Sequence, residues 1–98
     1  MTQLERDIER KFKTMVERHG GLCLKWVCPG QTGVPDRIVL LPGGRVLFVE
    51  LKRPKGGKVS PLQMWWAQRL HRLGFDHWFV CNDGDLLRFE MLIEELRA

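Results

Sequence analysis

Leu4, Ile8, Phe12, Met15 and Val16 recur at the spacing of one helical face, so the chain opens with an amphipathic helix from about Thr2 to His19. Gly20-Gly21 ends it. Leu22 to Val27 alternates weakly and carries Trp26, which predicts a first strand, and Cys28-Pro29-Gly30-Gln31-Thr32-Gly33 reads as the loop that follows. Two aliphatic and β-branched runs, Ile38 to Leu41 and Val46 to Leu51, flank Pro42-Gly43-Gly44 and predict a β-hairpin. Ser60 then N-caps a helix that starts at Pro61 and closes at Gly74, with Leu62, Trp66, Leu70 and Leu73 expected to serve the core. Phe75 to Cys81 reads as a further strand with Asn82-Asp83-Gly84 as its turn. Leu86, Leu87, Phe89, Leu92, Ile93 and Leu96 support a C-terminal helix, with room for a short extended piece before it. The order α-β-β-β-α-β-α predicts an α/β fold, a mixed β-sheet flanked by helices.

Length and charge narrow the class. Residues 1–98 make one domain, large enough for a modest core but near the size where a partner subunit often adds stability. Sixteen Lys and Arg against twelve Asp and Glu leave +4, a bias that permits nucleic-acid binding without requiring it. No apolar run approaches membrane-spanning length and the N-terminus has no apolar signal segment, so the expectation is a cytoplasmic protein with no membrane partner. Cys23, Cys28 and Cys81 are an odd count without a Cys-x-x-Cys pair, which speaks for reduced thiols. His71 and His77 lack zinc-ligand spacing, and the Gly-rich loop lacks the Gly-Lys-Ser/Thr ending of a nucleotide-binding loop.

The polar residues of the hairpin break its pattern. Asp36 enters the first strand, while Glu50 and Lys52 interrupt the end of the second, where a plain core strand would stay apolar. Side chains alternate along a strand, so Glu50 and Lys52 share a face, roughly 7 Å apart, and Leu47, Val49 and Leu51 share the other. Antiparallel pairing sets the start of one strand beside the end of the next, and Asp36, Glu50 and Lys52 converge. Two carboxylates on one patch repel, and one would keep its proton unless a divalent cation sat between them. Oxygen ligands of this kind suit Mg²⁺ or Mn²⁺. Lys52 would hold or polarise an attacking water, or balance charge as a phosphorane-like transition state forms. An ordinary surface hairpin with an acid-lysine pair is the competing reading of these three residues alone.

The wider pattern separates the two. Pro35-Asp36 followed by Glu50-Leu51-Lys52 resembles the PD-(D/E)xK nuclease signature. Gly33-Val34-Pro35-Asp36-Arg37, Phe48-Val49-Glu50-Leu51-Lys52 and Ser60-Pro61-Leu62-Gln63 together resemble the VRR-NUC family of nuclease domains. The resemblance implies a restriction-endonuclease-like core and a metal held by Asp36, Glu50 and the backbone carbonyl of Leu51. It also implies a further acid from the first helix, for which Glu9 fits best and Glu5 is the runner-up, and makes Gln63 a site residue that positions water, metal ligands or phosphate. Lys25, Arg37, Arg53, Lys55 and Lys58 are the candidate DNA contacts, the last three in the basic loop that adjoins Lys52.

The function expected on these grounds is a Mg²⁺- or Mn²⁺-dependent DNA endonuclease. The resemblance to stand-alone members and junction resolvases implies a homodimer that cuts four-way (Holliday) junctions. The alternatives are a flap or structure-specific nuclease module working with a helicase, and a catalytically silent DNA-binding module of the same fold. Trp65 and Trp66 cannot both face one side of their helix, so an exposed tryptophan, from Trp65, Trp66 or Trp78, is expected at the dimer contact.

Overall fold

The computed structural model describes residues 3–52 and 57–97. Its elements are α1 (Gln3–Arg18), β1 (Leu22–Lys25), β2 (Arg37–Leu41), β3 (Arg45–Leu51), α2 (Pro61–Arg72), β4 (Asp76–Val80) and α3 (Asp83–Arg97). The sheet runs β1-β2-β3-β4 in space. The first three strands form an antiparallel meander, and β4 joins β3 in parallel after the α2 crossover, which makes the sheet mixed as expected. The hairpin turn puts Gly43 and Gly44 at φ of +87° and +76°, a left-handed pair that residues with a Cβ rarely adopt.

Strand alternation divides the buried side chains into two sets. Val39, Leu41, Leu47, Val49 and Val80 meet Ile8, Phe12, Met15 and Val16 of α1 and Phe89 and Ile93 of α3, forming the main core. Phe12 and Trp78 both pack against the Phe89 ring, at centroid distances of 5.1 and 5.6 Å. On the opposite face, Phe48 is buried between Trp26 and Phe75, with centroids at 5.2 and 5.4 Å. β3 is therefore buried on both sides toward its end, and this fixes the environment of Glu50.

Three local expectations change. Asp83 and Gly84 belong to α3 rather than to a turn, and no extended piece precedes the helix. The Asn82 side chain accepts the Asp85 N–H at 2.8 Å and its carbonyl accepts the Leu86 N–H at 3.0 Å, so it is an N-cap. Leu62 and Leu73 are 44% and 58% exposed rather than core. Leu73 is the C-cap, beyond the last turn, and Leu62 lies in the first turn over Gly33, whose added Cβ would come 2.8 Å from the leucine Cγ. Leu70 is the one buried residue of α2. Among the described residues, no helix is long and apolar enough to cross a membrane.

This division of α2 and α1 is measurable. Phe12→Ala should cost about 3–5 kcal/mol in urea unfolding, whereas Leu73→Ala should stay within about 0.5 kcal/mol. Equal losses would contradict the exposure of Leu73.

Candidate active site

The hairpin register pairs Arg37 with Val49, and one step further sets Asp36 opposite Glu50. The Asp36 carbonyl accepts the Trp26 N–H at 2.9 Å, which carries the β1–β2 ladder past the strand end and fixes the backbone there. Asp36 Oδ1 accepts the Leu51 N–H at 3.1 Å, so the side chain is anchored to the far strand. On the next pleat, Lys52 donates its backbone N–H to the Val80 carbonyl at 2.9 Å, and its Nζ lies 3.9 Å from Glu50 Oε2. Asp36, Glu50 and Lys52 are thus brought together, as strand alternation and antiparallel pairing anticipated.

Burial sets the electrostatics of this group. Glu50 is only 7% exposed, and desolvation followed by the Asp36 charge pushes its carboxyl up to about 7. Desolvation also raises Asp36, opposed by the Leu51 N–H and by Arg37. Lys52 lowers Glu50 but does not offset its burial. The two acids therefore form an oxygen-donor pair with excess negative charge when both ionise, which is the donor chemistry that suits a hard divalent cation.

The remaining expected residues fall in different places. Arg37 corrects the expectation of a DNA contact: it is 7% exposed and lies on the α1 side of the sheet with Val39 and Leu41. Its Nη2 reaches Glu9 Oε1 at 2.5 Å and its Nη1 reaches the Asp36 carbonyl at 3.0 Å. Glu9 thus reaches the Asp36 end of β2 beside Arg37, near enough for its charge to raise Asp36. The alternation rule already contains the placement of Arg37, since Asp36 and Arg37 are consecutive and must face opposite ways. Gln63 closes a capping box: its Oε1 accepts the Ser60 N–H at 3.0 Å and its own N–H donates to Ser60 Oγ at 3.1 Å. Lys25 is exposed on β1 opposite Arg37, and Lys58 is exposed just before α2. Arg53, Lys55 and the side chain of Glu5 lie outside the described residues.

Tryptophan placement also narrows. Trp65 is 52% exposed and meets Trp66 edge-on at 5.2 Å, while Trp66 donates its indole N–H to the Thr32 carbonyl at 3.1 Å. Trp78 is half-buried against Phe89, which corrects its place among the surface candidates. Cys23, Cys28 and Cys81 are all free, and burial pushes the Cys23 thiol up to about 11. A second group, His19, Glu90 and Glu94, brings ligand-type atoms within 4.8 Å of one another. There His19 Nε2 meets Glu90 at 2.7 Å, Arg18 meets Glu90 at 2.6 Å and Arg97 meets His19 Nδ1 at 3.1 Å. Glu90 is already paired with Arg18 and His19, and these contacts tie the end of α1 to α3.

Fold and site together define a PD-(D/E)xK nuclease domain. The VRR-NUC domain model matches residues 5–82. The chain is similar to "Putative nuclease p44" of Acyrthosiphon pisum secondary endosymbiont phage 1, with 46% identity over 70 residues, 71% of this chain and 74% of that protein. It is also similar to a solved VRR_NUC domain at a TM-score of 0.82 and 29% identity, covering 89% of this chain and 94% of the other. The chain belongs to the VRR-NUC domain family.

The carboxylate pair makes stability depend on pH in a defined direction. Glu50 holds its proton more tightly when folded than its ordinary value of 4.5, so its contribution is full below about pH 4.5 and is lost as pH rises through about 7. The loss is on the order of 3 kcal/mol. Asp85 and Glu90, whose values are lowered, titrate below this window, and His77, which burial lowers from 6.5, opposes the trend only on the acid side of that value. Metal-free protein should therefore melt at a lower temperature at pH 8 than at pH 6.5, and Glu50→Gln should remove most of that difference. Mn²⁺ should raise the pH 8 melting temperature of the wild type and not of Glu50→Gln. Circular-dichroism melts with EDTA or Mn²⁺ measure both.

Proposed function

We propose that this protein is a divalent-metal-dependent endodeoxyribonuclease that hydrolyses phosphodiester bonds of four-way DNA junctions as a homodimer. The observation that carries the reading is the opposed pair of carboxylates, half-buried Asp36 and buried Glu50, with the Lys52 ammonium beside Glu50. Such a pair costs stability unless a cation joins it, and family membership in a class of nuclease domains supports that use.

Asp36, Glu50 and the Leu51 carbonyl would hold Mg²⁺ or Mn²⁺, with Glu9 adding directly or through a water. When bound, the ion supplies Lewis-acid activation of the phosphate and a more acidic water. Asp36 is held through Oδ1 by the Leu51 N–H, which leaves Oδ2 as its ligand atom. Lys52, packed to 15% exposure at its side chain, can donate to the attacking oxygen and then balance charge on the pentacovalent phosphorus. Lys25 and Lys58 are the exposed described cations proposed to meet the DNA backbone, with Arg53 and Lys55 of the basic loop.

The dimer is proposed to form around Trp65, with the exposed Leu62 and Met64 near it on α2. Trp66 braces the Trp65 ring, and a two-fold contact would bury it on both subunits. Two symmetric sites then suit a substrate with two-fold symmetry.

Asp36→Asn and Glu50→Gln should each abolish cleavage on a panel of junction, flap, nicked and linear DNAs with Mg²⁺ or Mn²⁺. Lys52→Ala should lower the rate by about 10²–10³-fold while still titrating metal calorimetrically. Full activity in either acid variant would sink the metal-site assignment. Wild-type protein should sediment as a dimer and Trp65→Ala as a monomer that has lost paired junction cuts. A monomer that still makes coordinated cuts on both strands would favour the flap nuclease instead.

A further inference from the structure

Between α2 and β4 lies an open groove of about 400 Å³, lined by Ala67, Gln68, His71, Arg72, His77 and Phe79. None of these residues is an acid, and Gln68, His71, Arg72 and His77 all carry N–H donors. The cations at the end of α2 have a local reason to be there, since positive charge complements a helix C-terminus. That reason does not reach His77, which belongs to β4. His77 Nδ1 is the one buried side-chain nitrogen or oxygen among the described residues without a hydrogen-bond partner. An unpaired buried donor or acceptor costs about 1–3 kcal/mol. His77 itself lines the groove, so a group bound there is within reach of its imidazole.

The groove adjoins the carboxylate pair through the sheet register. Glu50 pairs across strands with Phe79 and Phe48 with His77, so His77 and Phe79 share the sheet face of Glu50 and Lys52. His77 is two residues from Phe79, about 7 Å along the strand. A strand with its scissile phosphate at Glu50 that followed β4 toward His77 would bring a neighbouring phosphate to this groove.

We propose that the α2–β4 groove is a second phosphate subsite, in which Arg72, His71, Gln68 and His77 hold a backbone phosphate within the first two from the scissile one. The proposal rests on the nuclease reading above and names how that site positions its strand. Arg72 supplies the planar fork that matches phosphate oxygens, and His77 gains the partner it lacks within the chain. These are positioning residues: they set where the strand lies and leave the chemistry to Asp36, Glu50 and Lys52.

The test is DNA binding by fluorescence anisotropy in the Lys52→Ala background, which keeps the carboxylate pair and slows turnover. Arg72→Ala, an exposed position, should weaken binding about tenfold and lower the slope of log affinity against log salt by about 0.9. His77→Gln should weaken it in the same sense, its folding checked by circular dichroism. A methylphosphonate in place of a phosphate flanking the scissile one should weaken the parent protein and have no further effect on Arg72→Ala. In the active protein, the same change should raise KM and leave kcat unchanged. Arg10→Ala, on α1 across the sheet, should alter neither affinity nor slope. An equal effect of Arg10→Ala overturns the subsite, because general charge would then explain the result. If the parent protein binds DNA and Arg72→Ala leaves affinity and slope unchanged, the subsite is wrong and the nuclease reading stands. If the wild-type protein binds no DNA, both fall.

Discussion

The structure turns on a repulsion. Asp36 and Glu50 are held opposite one another at the end of a hairpin whose inner positions, Ile38 to Leu41 and Val46 to Val49, are filled by apolar side chains. The register is set by Val39, Leu41, Leu47 and Val49, all buried, because a slip of one residue would turn those side chains out of the core. Hydrophobic burial on one face thus forces two like charges together on the other. The energy stored in the pair is what a bound cation would release, and it couples the stability of this small core to its site.

Behind that pair stands a second electrostatic layer. Arg37 is buried in the main core and joins Glu9 of α1 to the backbone of Asp36. A lone buried guanidinium would be costly, and Glu9 with the Asp36 carbonyl supplies its partners. The helix is therefore tied to the Asp36 end of β2 by hydrogen bonds as well as by the packing of Ile8, Phe12, Met15 and Val16. One consequence is that the charge of Glu9 is already partly balanced, which distinguishes it from Glu50. Glu9 has a guanidinium in direct contact, while Glu50 has the more distant ammonium of Lys52.

α2 works differently from the other two helices. It buries Leu70, caps its own start through Ser60 and Gln63, and sets Leu62 against Gly33 in the loop that leads to Asp36. Little of it is needed for the core, and its surface leaves Trp65 exposed near one end and Arg72 with two histidines beside β4 toward the other. This division suits a chain whose core is small and whose reaction requires a long, charged substrate to be held across it.

Much of this was legible in the sequence. The helical period of Leu4 to Val16, the two apolar runs around Pro42-Gly43-Gly44, and Ser60-Pro61 identify their elements because they depend on local spacing and backbone preference. Alternation along the strands was sufficient to gather Asp36, Glu50 and Lys52, because two short strands joined by a tight turn leave few registers. What the local pattern misjudged were the residues whose role depends on what faces them. Leu73 has the right spacing for a core position but falls beyond the last turn, and Asn82 has the composition of a turn but caps a helix. Arg37 has the charge of a phosphate contact, yet only the packing of α1 across the sheet brings Glu9 to it and encloses the pair. The same is true of the raised Glu50: its position was a matter of sequence, whereas its proton affinity was decided by the aromatic and aliphatic side chains that tertiary folding placed around it, since desolvation is a property of the assembled surroundings and of no single segment.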